Sequence, residues 1–109
     1  MTINSQPIEC SSIKQLLVKI IGYLYFEQNC SLDKLDDYFN RLYVNPILIT
    51  EENWQNISSE QRKWYDQVNF SNGMKLYIFA SWLSSDYPEL KENIERSILE
   101  LADYGISLY

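Results

Sequence analysis

The amino-acid sequence predicts an all-α fold, a compact single-domain bundle of five to six helices. Apolar residues recur at helical spacing near the start of the chain, which is typical of an amphipathic helix. Serine and threonine stand in capping positions before several of the later segments. Residues 74–84 are apolar almost all round, as in the central helix of a bundle. A length of 109 residues fits one domain, and no internal repeat or shift in composition divides the chain.

The clearest amphipathic helix is predicted over residues 13–28. Ser12 precedes it as the N-cap, and Gln15 follows three residues later in capping-box spacing. Residues 1–10 are expected to form a loose arm in front of this helix. The apolar side chains lie three and four positions apart, so one helix face would carry Ile13, Leu16, Leu17, Ile20, Ile21 and Leu24.

A second helix is predicted over residues 32–43, with Ser31 as its N-cap and Pro46 beyond its end. Asp33 stands in its first turn, where the helix dipole favours an acid. Residues 43–50 are apolar enough for a strand, but no second strand is evident to pair with them. We therefore expect an extended connection there, packed on the core.

Two shorter helices are predicted in the middle of the chain. Thr50 caps a helical stretch that reaches residue 57. Ser58 caps another that reaches residue 69, with a glutamine in capping-box position. Residues 70–73, Phe-Ser-Asn-Gly, are typical of a turn.

The last third of the chain is predicted to hold two helices. Residues 74–84 would form the central one, beside the first helix. The second would cover residues 86–104, with Pro88 in its first turn and Gly105 as its C-terminal stop. Residues 106–109 would remain as a short tail.

The charge balance excludes several classes of function. Fifteen acidic residues face nine basic ones, so the net charge is −6. Nucleic-acid binding needs clustered Lys and Arg, and here the basic residues are scattered. Histidine, the commonest general base and metal ligand, is absent. We therefore expect neither nucleic acid nor a membrane as partner, and neither a metal nor a cofactor.

Catalysis finds no support in the motifs. The serine pairs stand in caps or turns, and no histidine can activate a serine or a cysteine. No phosphate-binding loop, dinucleotide fingerprint or hydrolase elbow is present. The sequence therefore predicts a protein that is not an enzyme.

The cysteines and the N-terminal residues indicate a compartment. No basic, apolar leader precedes residue 13, and the apolar run that follows is broken by lysines and a glutamine. We therefore expect a cytoplasmic protein, where thiols stay reduced. Cys10 and Cys30 are predicted to be free, with Cys30 part of the structure.

The acids fall into segments that could form a docking surface for a basic protein. The alternative is that these acids simply form the solvent-exposed faces of the helices. Trp54 stands beside two of them, and tryptophan is a frequent interface anchor. The candidate partner-binding residues are Asp33, Asp36, Asp37, Glu51, Glu52, Trp54, Glu89 and Glu92.

In size, acidity, helical pattern and surface residues, the chain resembles bacterial toxin-immunity proteins of the bacteriocin and contact-dependent growth-inhibition types. The resemblance implies stoichiometric binding of one cognate toxin, often a nuclease with a basic active cleft, which the inhibitor covers. Proteins that inhibit host nucleases would share these features with the chain for the same reason. The alternative is an all-helical regulatory or adaptor protein able to associate with itself.

Overall fold

A computed structural model describes residues 1–97 and 104–108. The prediction of an all-α bundle is wrong, because the chain has a mixed α/β fold. Among the described residues, two antiparallel sheets of three strands each pack with helices around a shared core. No described helix is both long enough and apolar enough to cross a membrane.

The first sheet joins the two ends of the described chain. Strands β1 (Thr2–Ile3) and β2 (Gln6–Pro7) form a hairpin, and β6 (Ile106–Ser107) pairs with the other side of β1. Residues 1–10 are therefore not a loose arm, and the predicted C-terminal tail contains a strand at Ile106–Ser107. The reason is a long-range pairing that local sequence patterns do not report.

Helix α1 (Ile13–Phe26) confirms the first predicted helix, although it ends two residues earlier. The Ser12 hydroxyl accepts a hydrogen bond from the Gln15 N–H, as the capping spacing predicts. Five members of the apolar stripe are buried: Leu16, Leu17, Ile20, Ile21 and Leu24. Helix α2 (Leu32–Phe39) follows and ends earlier than predicted.

The second sheet occupies the segment in which longer helices were expected. Its strands are β3 (Leu48–Thr50), β4 (Tyr65–Asn69) and β5 (Lys75–Phe79), in the order β3-β5-β4. The partner strand for residues 48–50 is thus β5, and the prediction of a helix over residues 74–84 is wrong. Two four-residue helices lie between β3 and β4: α3 (Glu51–Trp54) and α4 (Ser59–Arg62).

Strand β5 is apolar on both faces from Leu76 to Phe79 because it is the middle strand of a sheet covered on both faces. Leu76 and Ile78 face the main core beneath α1. Phe79 and the half-buried Tyr77 face a second cluster around Ile49 and Tyr65. A strand buried on both faces has the same continuous apolar pattern as a buried helix, so periodicity alone does not separate the two.

The β4–β5 hairpin confirms the predicted turn at residues 70–73. Gly73 has a φ of +84°, a conformation that glycine adopts at little cost. Its N–H donates to the Phe70 carbonyl at 2.9 Å. The Asn72-Gly73 pair is also a strong hairpin signal, and it is the local evidence for the two strands.

Helix α5 (Tyr87–Ser97) follows a single 3₁₀ turn, Ser84–Asp86. Leu90 and Ile94, one turn apart on this helix, are buried. The remainder of that predicted helix falls on residues 98–103, which lie outside the described residues. Both cysteines are free thiols, as predicted, and Cys30 is buried.

Candidate functional site

Helix α2 presents three of the predicted acids. The Ser31 hydroxyl accepts from the Lys34 N–H and begins the helix, and burial of Leu35 and Phe39 sets its rotation. Asp33 and Asp37 are consequently exposed, one turn apart, and Asp36 is half-buried between them. Amphipathic spacing thus places the acids on the solvent side of a helix anchored in the core.

These three carboxylates repel one another. Burial, followed by the charges of Asp33 and Asp37, raises the pKa of Asp36 above its usual range. The Asp36 Oδ1 accepts one hydrogen bond, from the Asn40 Nδ2 at 2.5 Å. A cationic side chain brought to this helix face would therefore relieve an existing repulsion.

Substituting Asp36 with asparagine tests this repulsion. Because the folded state has the higher pKa, the stability linked to protonated Asp36 is present in acid and is lost as pH rises through that pKa. We expect Asp36→Asn to raise the melting temperature modestly at neutral pH, with no gain below the usual carboxyl range. Thermal unfolding of both proteins across pH measures this difference. A lower melting temperature for Asp36→Asn at neutral pH would contradict it.

Asn40 links the end of α2 to the second sheet. Its Oδ1 accepts hydrogen bonds from the backbone N–H groups of Ile47 and Leu48, each at 2.9 Å. Its Nδ2 also donates to the Leu48 carbonyl at 2.9 Å. This single amide side chain therefore satisfies main-chain groups at the start of β3 and fixes α2 beside that strand.

The first half of α5 is held beside the end of α2. The Asn93 Nδ2 donates to the Leu42 carbonyl at 3.0 Å, and Leu90 is buried on the same helix. At the start of α5, the Asp86 carboxylate accepts from the Leu83 N–H at 2.8 Å. The Asn93 bond therefore places the start of α5 beside residues 41–44.

A shallow depression of about 410 Å³ marks this meeting point, and Arg41, Asp86 and Glu89 line it. The Arg41 guanidinium reaches back to both carboxylate oxygens of Asp37, each at 3.0 Å. Glu89 forms no ion pair with another described residue. We call the acids on α2 and around this depression the acidic surface: Asp33, Asp36, Asp37, Asp86 and Glu89.

Two apolar side chains stand exposed beside the acidic surface. Val44 is 87% exposed and Leu83 is 67% exposed. Their chain neighbours Tyr43 and Trp82 are in ring contact, with centroids 4.8 Å apart. Asp86 lines the depression with Val44, and its carboxylate accepts a hydrogen bond from the main-chain N–H of Leu83, which lines a second cleft. We call Val44 and Leu83 the apolar pair.

The remaining predicted acids are placed elsewhere. Glu51 and Glu52 are exposed on α3, which follows the far end of β3 from Asn40. Glu92 is exposed on α5 and pairs with Arg96 one turn later. The structure thus places Glu89 in one depression with Arg41, the ion-pair partner of Asp37, whereas Glu51 and Glu52 lie on a separate element.

Trp54 is held by contacts within the chain. Its indole stacks on the Tyr77 ring at 3.8 Å with an interplanar angle of 1°. The Arg62 guanidinium lies 5.0 Å from the indole centroid and donates to the Trp54 carbonyl at 2.9 Å. Trp54 therefore contributes to the second core cluster as a half-buried residue, and its contact with a partner stays a prediction.

A larger cleft of about 1160 Å³ lies between the N-terminal segment and residues 80–87. Cys10 and Tyr87 line it, and the Lys14–Asp66 ion pair at 2.9 Å stands among its walls. Burial, and then the charges of Glu95 and Cys10, raise the pKa of Tyr87. No group of three or more potential metal ligands occurs within residues 1–97 and 104–108.

Sequence reasoning missed the apolar pair and the two asparagines that assemble the surface. Asn40 and Asn93 look like ordinary polar helix residues, because their partners lie on other elements. Val44 and Leu83 belong to apolar runs, so the sequence pattern predicts that both lie in the core.

Comparison of the chain with protein-family models, curated proteins and solved structures finds no match.

Proposed function

We propose that this chain is a binding protein that inhibits a basic protein by covering its cationic cleft. The partner we propose is a nuclease toxin, and the chain then acts in the cytoplasm as an immunity-type inhibitor. The observation that carries the proposal is the acidic surface, in which Asp86 and Glu89 line one depression and Arg41 of the same depression is paired with Asp37 on α2.

Charge supports this choice of partner. The chain carries a net charge of −6, and the one cation that lines the depression among the described residues, Arg41, is already paired with Asp37. Such a surface attracts a positive cleft over several ångströms and raises the rate of encounter. In the complex, carboxylates would occupy the positions that substrate phosphates take on the nuclease.

The apolar pair would slow dissociation of the complex, which charge alone does not do. Long-lived complexes depend on a few side chains that lose their water when the surfaces meet. Val44 and Leu83 are highly exposed and have carboxylates beside them. In the proposed inhibitor, the acids therefore raise the association rate, and the apolar pair lengthens the lifetime of the complex.

Inhibition of a toxin is tested with the two purified proteins. A pull-down from the native source identifies the basic partner, and a toxin gene beside this one would name it directly. The nuclease activity of that partner is then titrated with the chain. We expect complete inhibition at equal amounts and a complex that weakens with salt. An acidic partner, or a complex indifferent to salt, would rule out this mechanism.

Charge reversal on the acidic surface should act on association. Asp33→Lys with Glu89→Lys changes two exposed acids that form no ion pair with another described residue. We expect the association rate to fall by about tenfold and its salt dependence to flatten. Stopped-flow mixing at low and high salt measures both quantities.

A matched control separates position from net charge. Glu27→Lys with Glu60→Lys carries the same net charge, but these exposed acids lie at the end of α1 and on α4. The control should associate nearly as fast as the original chain. Equal slowing by both double variants would mean that total charge governs encounter, and that the acidic surface has no special role.

A further inference from the structure

The two edges of the second sheet differ in how their main chain is satisfied. At the β3 edge, the Asn40 side chain bonds Ile47 and Leu48, and α2 lies alongside. The other edge is β4, which among the described residues pairs with no strand except β5. At the β3 edge, a side chain therefore bonds main-chain groups of the sheet. The β4 edge has no such side chain among the described residues.

The pairing with β5 identifies which groups of β4 face outward. At one end of the hairpin, the Ala80 N–H donates to the Trp64 carbonyl at 2.7 Å, and at the other the Phe70 N–H donates to the Met74 carbonyl at 2.9 Å. Even-numbered residues thus bond to β5, because bonded and non-bonded pairs alternate between antiparallel strands. The N–H and C=O groups of Tyr65, Gln67 and Asn69 point away from β5.

These outward groups have no hydrogen-bond partner among residues 1–97 and 104–108. Gln67 and Asn69 are exposed. Natural proteins protect such edges with proline, lysine or a covering element. Strand β4 contains neither proline nor lysine, and its one charge, Asp66, is engaged by Lys14 at 2.9 Å. The edge is therefore ready to accept another strand.

We propose that β4 pairs with β4 of a second copy of this chain, in antiparallel register about Gln67. The two sheets then become one continuous sheet of six strands, β3-β5-β4 followed by its copy in reverse. Tyr65, Gln67 and Asn69 each exchange hydrogen bonds with the copy through main-chain groups that no described residue of their own chain engages. This pairing goes beyond the proposed inhibition and does not depend on it.

The register explains why a second copy is the preferred occupant. Around a two-fold axis at Gln67, Tyr65 lies opposite Asn69 and Asp66 lies opposite Val68. No like charges face each other directly across the strands, which would otherwise destabilise the pair. Gln67 meets its own copy, and two amide side chains can hydrogen-bond each other.

The acidic surface stays free in such a dimer. It is built on α2, which lies beside β3, and on the start of α5. Strand β5 separates β3 from β4, so pairing at β4 does not use this surface. The dimer would therefore present two acidic surfaces, one from each copy.

The experiment places charge at the two-fold position. Gln67→Lys puts two positive charges opposite each other in the proposed dimer, and Gln67→Glu puts two negative ones there. Gln67→Thr is the matched control, because it keeps the main chain and favours a strand. Sedimentation equilibrium of each full chain over a range of concentrations measures the oligomeric state, and circular dichroism confirms folding.

We expect the original chain and Gln67→Thr to show a concentration-dependent dimer. Gln67→Lys and Gln67→Glu should each be monomeric alone, and mixing them should restore a dimer that contains one of each. A dimer that persists in both charged variants would place the contact elsewhere and overturn the proposal.

A monomeric original chain would also overturn it. In that case, an extended oligolysine peptide is added to the chain and the Gln67 amide is followed by NMR. A shift of this amide signal would indicate that β4 binds a cationic partner instead. Inhibition of a toxin by the monomeric charged variants would leave the proposed function intact, so the two proposals fail independently.

Discussion

Ile78→Ala is expected to lower the free energy of unfolding by about 2–5 kcal/mol, the usual cost of removing a large aliphatic side chain from a core. Ile78 is fully buried in β5, where it lies opposite Leu48 on β3 and Asp66 on β4. The cavity would therefore open beneath α1 and weaken the pairing of all three strands. Since domains of this size are stable by about 5–15 kcal/mol, a large share of the total would be lost.

Urea unfolding followed by tryptophan fluorescence and circular dichroism measures this change. Val44→Ala is the control, because Val44 is 87% exposed and its truncation should change stability by no more than about 0.5 kcal/mol. Leu17→Ala, at a fully buried position in α1, should resemble Ile78→Ala. Equal stabilities for Ile78→Ala and Val44→Ala would contradict the central position of β5.

Removal of the apolar pair should have the largest effect on the proposed complex. Val44→Ala with Leu83→Ala is expected to speed dissociation from the basic partner about tenfold to a hundredfold. Each factor of ten corresponds to about 1.4 kcal/mol, and paired hot-spot truncations commonly reach this size. The association rate should barely change, because no charge is altered. Surface plasmon resonance with the immobilised partner separates the two rates.

A control that removes exposed apolar surface from another element is also available. Phe26 is 41% exposed at the end of α1, so Phe26→Ala removes accessible apolar area from a different region. We expect no faster dissociation for Phe26→Ala. If it dissociates as quickly as the double variant, or if the double variant keeps the original lifetime, the apolar pair is not the anchor.

The helices at the beginning of the chain could be predicted from the sequence because their determinants are local. Ser12 and Ser31 cap α1 and α2 through hydroxyls that accept from N–H groups three residues later. The stripe from Leu16 to Leu24 follows the helical period and is buried. Capping and periodicity act within one or two turns, so a single sequence contains them in full.

The acids of the candidate site could be named individually, but their arrangement could not. Exposure of Asp33 and Asp37 follows from the apolar positions on the same helix. That Glu89 shares a depression with Arg41 depends on Asn93 bonding the Leu42 carbonyl, a contact between residues 51 positions apart. The exposure of Val44 and Leu83 could not be predicted for the same reason, because neighbouring elements decide whether an apolar side chain is buried.

By itself, the sequence determined the charge of the surface, the absence of histidine, the caps, the amphipathic helices and the turn that ends in Gly73. The tertiary structure decided that residues 75–79 form a central strand. Their apolar side chains suit a buried helix and a strand covered on both faces equally well. The choice depends on β3 and β4, which supply main-chain hydrogen bonds from residues up to about 30 positions away. Backbone groups buried without partners are costly, so the strand forms only where both neighbours are in place.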